Sequence, residues 1–95
     1  MIRVIAKFSL KSGQKDKAVE TARELIALTR KEDGCAHYDL AESATDENLL
    51  VILEAWESQT ALDAHSASDH FKRLVPQLTA LCEGPPAVDA LTQII

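Results

Sequence analysis

The sequence predicts one α+β domain over residues 1–95, with the order strand–helix–strand–strand–helix–strand. Three observations lead to this prediction. Apolar residues alternate with polar ones near both ends of the chain, which is typical of half-buried strands. Two segments between them repeat apolar residues every three or four positions, as amphipathic helices do. A central strand is apolar on both faces, which favours a homodimer.

The first strand and the first helix have the clearest patterns. Along residues 2–11 one face of the predicted strand is apolar, with Ile2, Val4, Ala6, Phe8 and Leu10. A helix is then predicted from about Gln14 to Lys31, on the spacing of Ala18, Ala22, Leu25, Ile26 and Thr29. Gly34 supplies the exit from this helix.

The next two strands are predicted to form a hairpin over residues 35–44 and 49–56, joined by a polar turn. One face of the later strand carries Leu49, Val51, Leu53 and Ala55, and the other carries Leu50, Ile52, Glu54 and Trp56. The helices of a small domain cover only one side of a four-stranded antiparallel sheet. The other side must meet another surface, and a second copy of the same sheet is the simplest partner.

The rest of the chain predicts a broken helical region and a final strand. Ser58 is a plausible N-cap for a short helix over residues 60–67, and Ser68 for a second helix. Pro76 lies inside the second helical pattern and is expected to kink or interrupt it. After the break at residues 84–86, alternating residues predict a strand over 88–94.

The net charge and the lengths of the apolar runs argue against two classes of protein, nucleic-acid-binding and membrane-spanning. The formal net charge is −5, and the ten basic residues are scattered, most of them beside acidic ones, so a nucleic-acid surface is not expected. Charged runs such as residues 30–33 are interpreted as solvated faces. The longest apolar run, residues 49–53, is too short to span a membrane, and the N-terminus has no apolar leader. We therefore expect a cytoplasmic protein whose Cys35 and Cys82 are reduced.

Motifs for metals and organic cofactors are missing from the sequence. The two cysteines are far apart, and no Cys/His ligand spacing is present. The glycine-rich nucleotide motifs and the nucleophile elbow are also absent. No metal and no cofactor are expected.

Glu54 is the first candidate for chemistry, because it lies in a strand that is apolar on both faces. A carboxylate in such a place must be paired, hydrogen-bonded or protonated. It could line a ligand cavity between two sheets, or it could be a structural carboxylate bonded to strand ends or to a partner subunit. Trp56 ends the same face and could form a cavity wall or pack in the core. Tyr38, on the neighbouring strand, could orient a substrate or bond a nearby carboxylate.

His65 and His70 flank the junction between the two short helices. Imidazole titrates near neutral pH and suits proton transfer from an acidic phenol or enol. On one continuous helix the two side chains would point about 140° apart, unlike the i, i+4 histidines of a metal site. The break that Ser68 predicts leaves their geometry open. Capping or surface roles are the alternative for both.

A resemblance to a known family rests on residues 53–71. In this run an acidic residue and Trp56 end a strand, and Ser58, an Ala-Leu pair, His65 and Ser68-Asp69-His70-Phe71 follow. This pattern closely resembles the antibiotic biosynthesis monooxygenase domain family. The spacing of Gly34 and Tyr38 and the order of elements agree with it.

The resemblance implies a ferredoxin-like β-α-β-β-α-β fold with helices on one face, which dimerises sheet to sheet into an α/β barrel. It implies oxidation of a quinol, an anthrone or a similar electron-rich aromatic by O2, without metal or flavin. By position, His65 is then the favoured base or orienting group and Glu54 a second catalytic candidate. The implied substrate-binding residues are Ile52, Tyr38, Trp56 and His70.

The same family includes relatives with other activities, which leaves alternatives. The positions of the tryptophan and the haem ligand of haem-degrading members hold His65 and Val75 here, and the first strand has no Asn, so haem degradation is set aside. An isomerase acting on a phosphorylated substrate would need basic residues, for which Arg3, Lys7 and Arg73 are the candidates. A binding protein without catalysis is the third possibility.

Overall fold

A computed structural model describes all residues from 1 to 95. The elements in chain order are β1 (Ile2–Ser9), α1 (Lys15–Thr29), β2 (Cys35–Glu42), β3 (Leu49–Trp56), α2 (Gln59–Ser66), α3 (Asp69–Ala80) and β4 (Ala87–Thr92). The four strands form one sheet in the order β2-β3-β1-β4, and every neighbouring pair is antiparallel. The predicted α+β fold class and the ferredoxin-like arrangement are confirmed.

The sheet has one covered face and one open face. On the covered face, Glu54 lies opposite Val4 of β1 and Tyr38 of β2. The three helices pack on this face, where Val4, Tyr38 and Glu54 are buried. The open face, on which Ile5 pairs with Leu53, has no cover within the chain, and Leu53 remains 38% exposed.

Of the two interpretations of Glu54, the one that places it in a cavity between two sheets is therefore wrong. Alternation along β3 separated the two faces correctly, but it could not show which face the helices cover. The helices lie over Leu50, Ile52, Glu54 and Trp56, all of which are buried.

The junctions around α2 and α3 follow local rules. Ser58 caps α2 by accepting a hydrogen bond from the Ala61 backbone N–H, and Ser68 caps α3 by accepting one from Phe71. Both predicted caps and the break between the helices are confirmed.

Pro76 does not interrupt α3, which continues to Ala80. Proline removes one backbone donor, but Leu74 and Leu78 on either side are buried against the sheet. Their burial holds the helix together across the missing bond. No helix of the protein is both long enough and apolar enough to cross a membrane.

Candidate active site

A cavity of about 250 Å³ lies between the covered face of the sheet and the helices α2 and α3. Most of its wall is apolar, and this part includes Val4, Phe8, Ile52, Leu62, Phe71 and Val75. Four titratable side chains, Tyr38, Glu54, Asp63 and His65, also line it, and no Lys or Arg does. A cavity with mostly apolar walls and a few polar groups is the usual form of a small-molecule site.

Glu54 lines this cavity as a buried carboxyl group with one hydrogen bond. Its Oε1 accepts a bond of 2.9 Å from the indole Nε1–H of Trp56, two residues along the same face of β3. Burial raises the pKa of Glu54 to about 7, although the Trp56 bond lowers it. Near neutral pH the group therefore exists in both its acid and its carboxylate form.

Tyr38 and Trp56 pack around His65. The His65 ring centroid lies 4.6 Å from that of Trp56 and 5.2 Å from that of Tyr38. Phe71 meets the His65 ring edge-on at 5.1 Å. Burial raises the pKa of the Tyr38 phenol, so this group stays neutral. The aromatic packing leaves His65 only 1% exposed.

Glu32 bonds both histidines that flank the helix junction. Its Oε2 lies 2.7 Å from Nδ1 of His65 and 2.9 Å from Nε2 of His70. A carboxylate oxygen accepts hydrogen bonds, so both imidazole nitrogens are donors in these bonds. The proton of His65 is therefore on Nδ1.

The other ring nitrogen of His65 is left without a partner. Its Nε2 is buried and makes no hydrogen bond within the protein. Burial lowers the pKa of His65, outweighing the bond to Glu32, and this favours the neutral ring. With the proton on Nδ1, a neutral ring carries a free lone pair on Nε2. A lone pair in this state can accept a proton from a ligand.

Glu32 reaches the histidines because the loop before β2 packs tightly on α2. Gly34 in this loop has a φ of +81°, and a Cβ on it would lie 2.5 Å from the Cβ of Ala61. The Gly34 carbonyl also accepts a 2.8 Å bond from the Glu57 backbone N–H. Glycine is required here both by the backbone conformation and by the contact.

Comparison with known proteins identifies the family of this chain. The model of the family described as antibiotic biosynthesis monooxygenase matches residues 1–77. The chain belongs to this family. The matched range contains the cavity and cluster residues described above, from Val4 to Val75, whereas three further lining residues, Pro86, Val88 and Ala90, lie beyond it.

Two bacterial relatives and one solved structure illustrate the similarity within the antibiotic biosynthesis monooxygenase family. The provisionally named monooxygenase Rv0793 of Mycobacterium tuberculosis is 37% identical over 98% of this chain and 91% of its own. The similarly named YcnE of Bacillus subtilis is 32% identical over 90% of both chains. A crystal structure titled antibiotic biosynthesis monooxygenase superposes with a TM-score of 0.93, at 35% identity and 100% coverage of both chains. These relatives support a function of the monooxygenase type.

The structure brings most of the predicted site residues of this family member together. Tyr38, Ile52, Glu54 and His65 line the cavity. Trp56 lies behind this lining, fully buried, where it bonds Glu54 and packs on His65. His70 contacts the site through Glu32 instead of lining the cavity.

Glu32 is the residue that the sequence interpretation missed. Residues 30–33 were expected to form a solvated face, and for Glu32 this is wrong, because its side chain is only 16% exposed. Only one feature of the sequence points to Glu32, which is its position two residues before Gly34. The positive φ of Gly34 directs this loop toward α2.

The donor atoms of Glu32, His65 and His70 all lie within 4.8 Å of one another. Imidazole and carboxylate are common ligands of transition-metal ions in proteins. These three residues are therefore the group in this chain that could hold a metal ion.

Proposed function

We propose that this protein is a cofactor-independent monooxygenase that oxidises a quinol, an anthrone or a similar electron-rich aromatic with O2. The observation that carries the proposal is the buried Nε2 of His65, which has a free lone pair and no partner within the protein. It belongs to a side chain that lines an apolar cavity. A substrate hydroxyl in that cavity is the partner that this nitrogen lacks.

His65 begins the reaction as the general base. Its Nε2 takes the proton of the phenol or enol, and the bond from Nδ1 to Glu32 holds the ring in the required tautomer. The apolar walls keep water from the resulting anion. The anion passes one electron to O2, and the substrate radical and superoxide combine to form a carbon–oxygen bond.

Glu54 completes the reaction as the proton donor. The peroxide collapses when its O–O bond breaks, the C–H bond at the same carbon loses its proton to a base, and a carbonyl forms. The distal oxygen leaves as water after receiving protons, and Glu54 in its acid form can supply one of them. The substrate provides all four electrons, since a phenol C–H or an anthrone CH2 becomes C=O while O2 yields one inserted oxygen atom and one water.

A phosphorylated substrate is disfavoured by the lining of the cavity, which contains no Lys or Arg. Arg3 and Lys7 pair with Ala55 and Val51 on the open face of the sheet, and Arg73 bonds Glu24 at the surface. None of the three basic candidates from the sequence lines the cavity. The substrate we propose is therefore a neutral aromatic.

A tautomerase is the second candidate function, because a base and an acid line the same cavity. His65 could remove a proton from one side of an enol or ketone while Glu54 returns one elsewhere. Such a reaction would consume no O2.

We also propose that two chains associate through the open faces of their sheets. This is supported by the apolar side chains left on that face, where Leu53 is 38% and Leu91 is 50% exposed. Association would cover them, as sheet-on-sheet packing does. The free thiols of Cys35 and Cys82 agree with the cytoplasmic location that we propose.

Oxygen uptake by the purified, metal-free protein tests the proposed activity. The panel should contain quinols, anthrones and flavonols, and His37→Ala is the matched control, because His37 is an exposed histidine on β2, away from the cavity. We expect uptake that depends on the protein, persists in His37→Ala and falls in His65→Ala. Turnover without oxygen would support the tautomerase instead, and no turnover with any substrate would contradict both.

A further inference from the structure

The cluster of Glu32, His65 and His70 joins three separate segments of the chain. Glu32 comes from the loop after α1, His65 from the last turn of α2 and His70 from the first turn of α3. We propose that this cluster is a binding site for a transition-metal dication such as Zn²⁺, and that the bound ion blocks the base. The second part rests on the proposed function, whereas the first part does not.

The donor set suits such an ion. Two imidazole nitrogens and one carboxylate oxygen match Zn²⁺ and its neighbours, whereas Mg²⁺ and Ca²⁺ prefer oxygen ligands only. The sequence spacing gave no sign of it, because the ligands come from different elements and the two histidines are five residues apart.

The distances between the donors are close to those around a metal ion. Oε2 of Glu32 lies 2.7 Å and 2.9 Å from the two imidazole nitrogens. Ligands about 2.1 Å from a tetrahedral Zn²⁺ are separated by roughly 3.4 Å. An ion can therefore replace the two N–H protons if the donors open by about 0.5–0.7 Å. Glu32 and His70 can provide this movement, since their side chains are 16% and 17% exposed, while packing fixes His65.

Metal binding reverses the role of Nε2 in His65. An ion on Nδ1 takes the lone pair of that nitrogen, and the ring proton moves to Nε2. Nε2 then donates a hydrogen bond and cannot accept a proton from the substrate. His65 therefore cannot bind the ion and act as the base at the same time, and the metal-bound protein should be inactive.

Isothermal titration of the metal-free protein with Zn²⁺ tests the site directly. We expect one ion per chain, with an affinity at least tenfold weaker in Glu32→Gln and in His70→Ala. His37→Ala should bind as the wild type does, and Mg²⁺ should give no binding. Circular dichroism of each variant shows whether it is folded. Absence of Zn²⁺ binding, or equal binding by all variants, would overturn the proposal.

Imidazole ¹⁵N spectra of the wild type give a second readout that needs no substitution. Zn²⁺ should shift Nδ1 of His65 and Nε2 of His70, and leave the resonances of His37 in place. A shift of His37 alone would contradict the site. Because neither measurement needs substrate, an inactive protein that binds Zn²⁺ here would overturn the proposed function and leave the metal site standing.

Discussion

The two faces of the sheet differ in what covers them, although they share the same strands. The covered face places Glu54, Tyr38 and Trp56 under the helices, beside a cavity. The open face presents Leu53 and Leu91 to the outside. Titratable groups are thus buried where the helices enclose a cavity, whereas apolar side chains remain exposed on the open face. We propose the chemistry for the covered face and the association of two chains for the open face.

The largest effect is expected on the covered face. His65→Ala should lower kcat by about 10²–10⁴-fold, because this is the usual contribution of a general acid–base group. Steady-state oxygen uptake measures the change, with His37→Ala as the control. Activity within a few-fold of the wild type would remove His65 from the mechanism.

A charge on the open face should change the association of two chains and leave the cavity on the covered face unaffected. Leu53→Asp places a carboxylate where the two sheets are proposed to meet, and burying it unpaired would cost several kcal/mol. In light scattering we expect the mass to fall from that of two chains to the 10.4 kDa of one chain. A wild type that already has the mass of one chain at micromolar concentration would contradict the sheet-to-sheet dimer.

The buried carboxyl group of Glu54 should make stability depend on pH. Its pKa is about 7 in the folded protein, whereas the ordinary value for a glutamate side chain is 4.5. The folded state therefore holds the proton more tightly. The contribution of Glu54 to the free energy of unfolding is complete below about pH 4.5 and is lost as the pH rises to about 7. The total loss is about 3 kcal/mol. Urea unfolding across this range measures it.

Glu54→Gln provides the comparison for that measurement, because the amide oxygen can still accept the bond from Trp56. The variant should lose this pH dependence. If the wild type and Glu54→Gln show the same slope of stability against pH, the raised pKa does not affect folding.

The smallest effect is expected on stability, at the contact between α2 and the loop before β2. Gly34→Ala forces a positive φ on alanine and brings its Cβ against Ala61. We expect a loss of about 1–3 kcal/mol in thermal or urea unfolding, the usual range for backbone strain of this kind. Gly13→Ala is a matched control, because Gly13 has the same φ of +81° with nothing within 4 Å. Equal losses in both variants would show that the contact with Ala61 is unimportant.

The strands and helices were predictable because each has its own periodic pattern. The alternation in β1 and β3 and the serine caps at Ser58 and Ser68 placed the elements within about two residues of their positions. Local patterns were sufficient because each depends on neighbouring residues only.

The centre of the site was less predictable, because it depends on contacts between distant segments. Glu32 meets His65 and His70 across 33 and 38 residues of sequence. Nothing in the charged run around Glu32 indicates that it is half-buried. The sequence also could not show on which side of the sheet Glu54 meets a cavity. Alternation separates the two faces without identifying what packs on them.

The break at Ala67 and Ser68 divides the helical wall of the cavity. Leu62 of α2 and Phe71 of α3 line it from the two sides of this break. No continuous helix joins α2 to α3, but one oxygen of Glu32 bonds a histidine on each of them. The group that holds the tautomer of the base is therefore also a bridge between the two helices that line the cavity.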